Sequence, residues 1–256
     1  MWSKDRHLKI ISLLGTRHQV STDLLAEEFE VSRETVRRDL LELESEGLVK
    51  RVHGGAVLPH PVPEEPFQKR MNRFLREKKS IAKCATNLVE PGQCLFVNAG
   101  TTTSVFAREL ARIPDIVVIT NSIDIATTIR QLDGNNVEVI LLGGRIVSDV
   151  PGTYGELTLS EISRFQADIA VLSPVGLHYV TGAADFALHE AEISRAMVAQ
   201  SGKTMLLADH SKLGTASRIQ YCKPDQIDVI VTDAGALKEQ INLFDKNGVG
   251  EIIQAS

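Results

Sequence analysis

The sequence predicts an α/β protein with an N-terminal winged helix-turn-helix and a C-terminal Rossmann-like, mostly parallel sheet with helices on both faces. Two short amphipathic segments joined by a tight turn predict the first part. From residue 92, continuous apolar runs alternate with amphipathic segments, which predicts strands covered on both faces of a parallel sheet. Between the two parts, the segment PHPVPEEP at 59–66 has four prolines in eight positions and indicates a linker.

These features divide the 256 residues into three ranges. A chain of this length is long enough for two domains with separate cores. We expect the winged helix-turn-helix at 1–58, the linker at 59–75 and the α/β domain at 76–256.

Composition excludes several classes of protein. The net charge of -5 argues against a protein that coats nucleic acid, whereas a site-specific DNA binder needs only a local basic surface. No apolar run approaches the roughly 18 residues of a membrane span, and the first residues lack the apolar core of a signal peptide. We therefore expect a cytoplasmic protein without membrane contact. The three cysteines lack metal-binding spacing, and we expect neither a metal nor a cofactor.

Helix start and stop signals organise the first sixty residues. An amphipathic segment before Gly15 predicts a first helix that stops at that glycine. Ser21 or Thr22 can cap a second helix, and Ser32 can cap a third that Gly47 ends. The second and third helices then form a helix-turn-helix, because a tight turn separates them.

Basic and hydroxyl side chains mark a DNA-binding surface. A recognition helix contacts DNA from its N-terminal positions, and the segment LVKRVHGGAVL predicts a hairpin wing beside it. The predicted DNA-binding residues are Ser32, Arg33, Thr35, Arg37 and Arg38 in the helix and Lys50, Arg51 and His53 in the wing.

A helical interaction domain is the alternative for this part. Its arginines would pair with Glu34 and Glu42, and residues 1–60 carry nine Lys and Arg against ten Asp and Glu, a net charge of -1. The bases nevertheless gather at the helix tip and the wing, while the acids gather elsewhere. This distribution favours double-stranded DNA as the partner.

Six continuous apolar runs predict the strands of the second part, and ligands of such sheets bind beyond the carboxyl ends of the strands. The runs are CLFV, IVVIT, VEVILL, IAVLS, TMLLA and DVIVT. Small, hydroxyl and amide residues dominate the segments that follow them, which are NAGTTTS, TNS, LGGR, SPVGL, ADHSKLG and TDAG. These segments predict an anion-binding edge of the sheet.

The segment NAGTTT at 98–103 is the strongest candidate for a phosphate site. Gly100 lets the backbone approach a ligand, and the helix that follows offers unpaired N–H groups and the positive end of its dipole. Thr101, Thr102 and Thr103 add hydroxyl donors, and Lys212 can add a charge from another strand. Alternatively the threonines only cap the helix, although one hydroxyl suffices for a cap.

Further candidates for effector binding are Asn121, Ser122, Gly143, Gly144, Arg145 and Glu190. The asparagine and serine can bind a ligand or cap their helix, and the two glycines permit close approach of a ligand. The arginine can bind an acidic group of a ligand or of a neighbour. The glutamate can meet ligand hydroxyls or lie on a solvated helix face.

The segment VSRETVRRDLLELESEGLVKRVHGGA resembles the N-terminal signature of the DeoR/GlpR family of bacterial repressors, and NAGTTT, VVITNS, VEVILLGGR and LLADHSKLG extend the resemblance over nearly the whole chain. The resemblance implies a winged helix-turn-helix on operator DNA and a C-terminal domain similar to ribose-5-phosphate isomerase. It implies a phosphorylated sugar or sugar acid as effector, a homodimer or homotetramer, and a repressor of a carbohydrate or sugar-acid catabolic operon.

An isomerase-like enzyme that carries a helix-turn-helix is the alternative function. The isomerases to which the chain is similar, and many family repressors, have an acidic GADG-like motif after the strand that here ends IAVLS. This chain has SPVGL at 173–177 instead. A general base must reach the proton that it abstracts, and Ser, Pro and Val supply no such base. We therefore expect no catalytic residues, and the hydroxyl arrangement of the effector stays open.

Overall fold

The structure is a computed structural model that describes residues 3–17, 19–45, 48–57, 65–132 and 136–256. The chain divides into two units, Met1–Val62 and Pro63–Ser256. The predicted helix end at Gly47 and most of the proline-rich segment, residues 59–64, lie outside the described residues. Among the helices that the structure describes, none has the length and apolar character needed to cross a membrane.

Helices and a small antiparallel sheet make up the first unit. Its elements are α1 (Ser3–Arg17), β1 (Gln19–Ser21), α2 (Thr22–Glu28), α3 (Arg33–Ser45), β2 (Lys50–Val52) and β3 (Gly55–Val57). Strand β3 lies between β1 and β2 and is antiparallel to both. Ser21 caps α2, because its Oγ accepts a hydrogen bond from Leu24 N at 3.1 Å.

Helix α1 continues through Gly15 to Arg17, so the predicted stop at Gly15 was wrong. A glycine inside a helix costs only about 1 kcal/mol relative to alanine. The apolar face of α1 outweighs that cost, since each fully buried aliphatic side chain contributes about 1.5–3 kcal/mol. The buried core of this unit contains Ile10, Ile11, Leu14, Leu25, Val36, Leu40 and Leu43.

A buried ion pair joins α1 to α3. Arg6 donates from Nε to Asp39 Oδ2 at 2.7 Å and from Nη2 to Asp39 Oδ1 at 2.8 Å, and these residues are 8% and 2% exposed. The hydrogen bonds to Asp39 raise the pKa of Arg6, so the guanidinium keeps its charge. His7 Nε2 lies 3.3 Å from Asp39 Oδ1 and 3.6 Å from Glu42 Oε2.

Two helices, α4 (Phe67–Asn72) and α5 (Leu75–Thr86), precede the sheet of the second unit. The elements that follow are β4 (Cys94–Val97), α6 (Thr101–Leu110), β5 (Val117–Thr120), α7 (Ile123–Leu132), β6 (Glu138–Leu141), α8 (Glu156–Ile162), β7 (Ala167–Leu172), β8 (Gly176–His178), β9 (Gly182–Asp185), α9 (Leu188–Ala199), β10 (Ser201–Leu207), β11 (Ile219–Cys222), β12 (Val229–Asp233), α10 (Lys238–Lys246) and β13 (Glu251–Ala255).

Helix α4 occupies residues that the sequence assigned to the linker at 59–75. Phe67 is buried, and its N–H donates to Asp149 Oδ2 at 2.6 Å. The linker therefore ends earlier than predicted. The prolines that prevent helix formation end at Pro66, and the buried Phe67 follows directly.

Seven strands form one parallel sheet in the order β13, β12, β10, β7, β4, β5 and β6. All six predicted apolar runs are strands of this sheet, which confirms the predicted fold class. Strand β13 and the small antiparallel sheet of β11, β9 and β8 did not appear in the sequence prediction. Two apolar cores cover the two faces of the large sheet, one containing Phe106 of α6 and the other containing Met197 of α9.

We expect Asp39→Asn to lower the free energy of unfolding of the first unit by about 3–5 kcal/mol, because it leaves the buried Arg6 guanidinium without its counter-charge. Hydrogen–deuterium exchange of peptides from α1 and α3 in the full chain measures this change for the first unit alone.

The matched control is Asp23→Asn. Asp23 Oδ1 lies 2.8 Å from Arg33 Nε, but both side chains are about two-thirds exposed, at 66% and 67%. An exposed pair typically contributes about 1 kcal/mol or less. Equal effects of the two substitutions would contradict the assignment of Arg6 and Asp39 as the pair that holds the helices together.

Candidate functional site

The predicted recognition helix is α3, and Ser32 caps it. Ser32 Oγ accepts a hydrogen bond from Thr35 N at 3.1 Å and lies 2.8 Å from Thr35 Oγ1. Arg33 in the first turn of α3 is exposed, and so are Arg37 and Arg38 in the second turn. A helix that presents its first turn in this way has the form needed to enter a major groove.

Three of the predicted basic residues hold acidic neighbours at the surface. Arg33 pairs with Asp23 at 2.8 Å, Arg37 with Glu34 at 3.6 Å, and Arg51 with Glu44 at 2.8 Å. The backbone N–H of Arg51 and then its guanidinium lower the pKa of Glu44. The alternative of an interaction domain named Glu34 and Glu42 as partners of the arginines. Glu34 pairs with Arg37, whereas Glu42 lies beside His7 of α1.

Arg38, Lys50 and His53 have exposed side chains, and the described part of the chain offers none of them an ion-pair partner. Arg38 lies on α3, Lys50 begins β2, and His53 lies in the turn between β2 and β3. The turn continues through Gly54, whose φ of +80° favours glycine. The first unit thus presents uncompensated positive charge on both the helix and the hairpin.

The threonine loop, residues 98–103, leads from β4 into α6. Gly100 is the N-cap of α6, and no side chain caps the helix. Thr103 Oγ1 donates back to the carbonyls of Asn98 and Gly100, at 2.8 and 3.0 Å. Within residues 65–132 and 136–256, the hydroxyls of Thr101 and Thr102 and the N–H groups of residues 101–103 have no hydrogen-bond partner. The threonines do not act as caps, and these donors belong to three consecutive residues at the start of α6.

A buried amide side chain holds the threonine loop in position. Asn121 Oδ1 accepts from Ala99 N at 3.0 Å, and Asn121 Nδ2 donates to the carbonyl of Thr153 at 3.1 Å. Asn121 therefore connects loops, whereas Ser122 acts as a cap, since its Oγ accepts from Ile125 N of α7 at 3.2 Å. The structure thus separates the roles of two residues that the sequence treated alike.

The glycines after β6 serve packing within the protein. A Cβ added to Gly144, whose φ is +151°, would lie 2.2 Å from Thr158 Oγ1 and 2.9 Å from the carbonyl oxygen of Tyr154. Gly143 N–H donates to the Glu161 carboxylate. Arg145 pairs through its backbone with Tyr154 and keeps an exposed side chain, so it is the group of this segment that faces solvent.

A carboxylate that sequence analysis missed lies beside the segment SPVGL. Asp185, at the end of β9, is 3% exposed and accepts from Val175 N at 3.3 Å and from Ser194 Oγ at 3.1 Å. Ser194 Oγ in turn accepts from Asn98 Nδ2 at 3.2 Å. Sequence analysis considered only the residues of the segment itself, whereas the antiparallel hairpin of β8 and β9 returns the chain to it and places Asp185 beside it. In the sequence, the contact is marked only by an aspartate ten positions after Val175.

Lys212 lies at the same edge of the sheet as the threonine loop. It ends the short 3-10 turn His210–Lys212 that follows β10, and β10 is separated from β4 by β7 alone. The side chain is partly buried. Glu190 lies in the first turn of α9 and is also partly buried.

The described residues contain one group with the composition of a metal site, His7, Asp39 and Glu42. Both Asp39 oxygens already accept from the Arg6 guanidinium, whose charge opposes a cation there. The arrangement fits an ion-pair cluster better than a metal site.

Relatives of this chain are known repressors. It is 32% identical over 254 residues to the HTH-type transcriptional repressor GlcR of Bacillus subtilis, covering 97% of this chain and 95% of that protein. It is 34% identical over 234 residues to the glycerol-3-phosphate regulon repressor of Escherichia coli, covering 91% and 92%. It is also similar to the structure of ribose 5-phosphate isomerase A from Methanocaldococcus jannaschii, with a TM-score of 0.39, 16% identity and coverage of 54% of each chain.

Family models match both units of the chain. The DeoR-like helix-turn-helix domain matches residues 6–62, and the DeoR C terminal sensor domain matches residues 73–234. The relatives named above are transcriptional repressors, which identifies a regulator rather than an enzyme. The chain belongs to the DeoR family of DNA-binding transcriptional repressors.

Proposed function

We propose that this repressor controls a carbohydrate or sugar-acid catabolic operon and that a phosphorylated sugar or related metabolite in the second unit modulates its binding to operator DNA. The observation that carries this proposal is the threonine loop, where backbone and hydroxyl donors without partners among the described residues lie at the carboxyl edge of a parallel sheet. A helix N-terminus with such donors binds phosphate well.

Operator recognition rests on the basic residues of α3 and the wing. Arg38, Lys50 and His53 are available to DNA without breaking any ion pair among the described residues. Arg33, Arg37 and Arg51 can exchange exposed carboxylates for phosphates at low cost, because such pairs contribute about 1 kcal/mol or less. Ser32 and Thr35 add hydroxyl groups at the helix tip. An arginine at such a position can bind a phosphate or the O6 and N7 atoms of guanine.

Phosphate binding rests on Gly100, Thr101 and Thr102, with Thr103 contributing its backbone N–H. Lys212 adds a positive charge from the segment after β10. Arg145, Glu190 and Ser122 stay candidates for other parts of the effector, although Ser122 already caps α7. Asn121, Gly143 and Gly144 support the site through packing and hydrogen bonds, as their contacts with the protein favour.

Regulation requires that the effector bind the DNA-competent and DNA-incompetent states with different affinity. We propose that the effector releases DNA, as the family resemblance implies. We also propose a homodimer or homotetramer in the cytoplasm, because helix-turn-helix repressors read two half-sites through paired subunits. Exposed apolar side chains at or near edge strand β6 support an oligomer; they are Leu141, Ile146, Val147 and Leu157.

We expect a footprint of the protein on the promoter nearest its own gene. In Arg38→Ala, operator affinity should fall about tenfold, and the slope of log affinity against log salt should fall by about one if the guanidinium contacts phosphate. Thermal stability should be unchanged, because Arg38 is exposed and no described residue pairs with it. Fluorescence anisotropy on a labelled operator fragment at several salt concentrations measures both quantities.

Arg112→Ala is the control for this experiment, since Arg112 is an exposed arginine of the second unit that pairs with Glu109. It should leave operator affinity unchanged. If the protein protects no DNA at any salt concentration, the proposal that it binds operator DNA is refuted.

We expect the double variant Thr102→Ala, Lys212→Ala to lose stabilisation by phosphorylated sugars in a thermal-shift screen, because it removes one hydroxyl donor and the added positive charge. The double variant Thr127→Ala, Lys238→Ala makes the same chemical change on exposed positions of α7 and α10 and should respond like the natural protein. An unchanged response of the first variant would show that the phosphate binds elsewhere.

A further inference from the structure

The segment through which the chain enters the second unit lies across the carboxyl edge of the large sheet. We call residues 65–74 the connector; it contains α4 and ends at Phe74, the N-cap of α5. At its start, the N–H of Phe67 donates to Asp149 Oδ2 at 2.6 Å, in the segment after β6. At its end, the rings of Phe74 and His210 are in edge contact, with centroids 5.0 Å apart, in the segment after β10. Strands β7, β4 and β5 lie between β10 and β6, and α4 lies against α6, which the threonine loop begins.

Phe74 has a backbone conformation that its residue type disfavours. Its φ of +53° and ψ of +37° lie in the left-handed region, which favours glycine over a residue with a bulky side chain. Such a conformation persists only where surrounding contacts hold it. The ring of His210 supplies one such contact and is itself fixed, because its Nδ1 lies 2.8 Å from Asp233 Oδ2 and its backbone N–H donates to Asp233 Oδ1 at 2.7 Å. Loss of the ring contact therefore favours a rearrangement of the backbone at Phe74.

Side chains from outside the connector hold both ends of α4. The residue before α4 is Pro66, which has no polar side chain to cap it, and Asp149 supplies an acceptor for the first N–H of the helix. At the other end the buried Lys78 donates from Nζ to the carbonyl of Arg70, and its charge matches the negative end of the helix dipole. A helix of six residues is too short to be stable alone. The helical form of α4 therefore depends on its docking.

The segments that hold the connector also belong to the proposed effector site. His210 and Lys212 lie in one 3-10 turn. The segment of Asp149 continues to Gly152, where an added Cβ would lie 3.0 Å from Ala99 Cβ of the threonine loop. A ligand that binds the threonine loop and Lys212 therefore acts on the surroundings of both anchors of the connector, which are Asp149 and His210.

We propose that the connector couples the sensor site to DNA: docked on Asp149 and His210 it supports tight operator binding, and its release lowers operator affinity. The inference rests on the proposed function, because it takes paired subunits on the operator and an effector that releases DNA. Release adds the ten residues 65–74 to the chain between the two units. A longer connection lowers the effective concentration of the second DNA-binding unit at its half-site. The effector then binds the released state more tightly than the docked state.

Hydrogen–deuterium exchange of the full chain, with and without operator DNA, tests the coupling in the absence of ligand. If docking favours operator binding, operator binding favours docking to the same extent, because coupling between two equilibria is reciprocal. We expect the amides of residues 67–74 to exchange about fivefold more slowly in the operator complex. The amides of α10 serve as the internal reference and should be unchanged. Unchanged exchange of the connector at saturating operator would overturn the inference.

Two substitutions release the connector from different anchors. Asp149→Ala removes the acceptor of the Phe67 N–H, and Phe74→Ala removes the ring from His210 while the disfavoured backbone conformation remains. Each should lower operator affinity about fivefold without ligand and speed exchange of the connector. Phe74→Gly also removes the ring, but glycine adopts the left-handed region readily, so its loss of affinity should be smaller than that of Phe74→Ala. Fluorescence anisotropy on a labelled operator fragment measures these affinities.

The controls separate coupling from a general loss of structure. Asp149→Asn keeps an oxygen that can accept the same hydrogen bond and should bind the operator like the natural protein. Asp245→Ala removes an exposed carboxylate of α10 and should also leave operator affinity unchanged. If Phe74→Ala unfolds the second unit, exchange rises throughout that unit, and Asp149→Ala at its exposed position decides the claim. Natural operator affinity in both alanine variants of the connector contacts would overturn the inference.

Phosphorylated probes distinguish failure of this inference from failure of the proposed function. The probes are glycerol 3-phosphate and glucose 6-phosphate, with inorganic phosphate as a reference. A probe that releases the operator should speed exchange of residues 67–74 about fivefold. If it releases the operator and leaves that exchange unchanged, the inference falls and the proposed function stands. If no probe releases the operator, the proposed effector falls, and the experiment with operator DNA alone still decides whether the connector is coupled to DNA binding.

Discussion

The geometry of the proposed phosphate site depends on the hydrogen bonds of one buried amide, that of Asn121. The residue is 1% exposed, and its side chain binds Ala99 N on one side and the carbonyl of Thr153 on the other. Its own carbonyl accepts from Thr153 N at 2.8 Å. One residue thus joins the segments after β4, after β5 and before α8. These bonds fix the position of the threonine loop relative to the segment that carries Tyr154. Fixed donors matter because a ligand binds more tightly to preorganised donors than to mobile ones.

The sequence predicted the central strands most directly, because they are buried along most of their length. The runs CLFV and IAVLS became the central strands β4 and β7, because a strand covered on both faces leaves a continuous apolar signal. Strand β13 lies at an edge, and its exposed Glu251 and Gln254 interrupt the apolar residues, so it leaves no continuous apolar run. The antiparallel sheet of β8, β9 and β11 has strands of three or four residues, which are too short for a periodic pattern.

The candidate site also has a part that the sequence predicted and a part that it did not. A glycine followed by threonines after a strand indicates an anion site through local geometry alone, so NAGTTT could be singled out. Contacts between residues that are far apart in the sequence could not be predicted in this way. Arg6 and Asp39 are 33 positions apart, and Asp185 reaches the SPVGL segment only through a hairpin return. Tyr154 and His189 meet across 35 positions of chain, and no spacing rule connects them. The sequence also could not separate Asn121 from Ser122, since both residue types cap helices and bridge loops.

The surface ion pairs of Arg33, Arg37 and Arg51 bear on how a repressor searches a genome. Each of these arginines already has part of its charge compensated by an adjacent carboxylate. Each therefore adds less affinity for random DNA than a basic side chain without such a partner would add. Affinity for random sequence is almost wholly electrostatic, and the ratio of operator to background affinity governs occupancy. In the proposed DNA complex, the acids beside these arginines therefore lower the affinity for random sequence, which leaves more of the protein available for its operator.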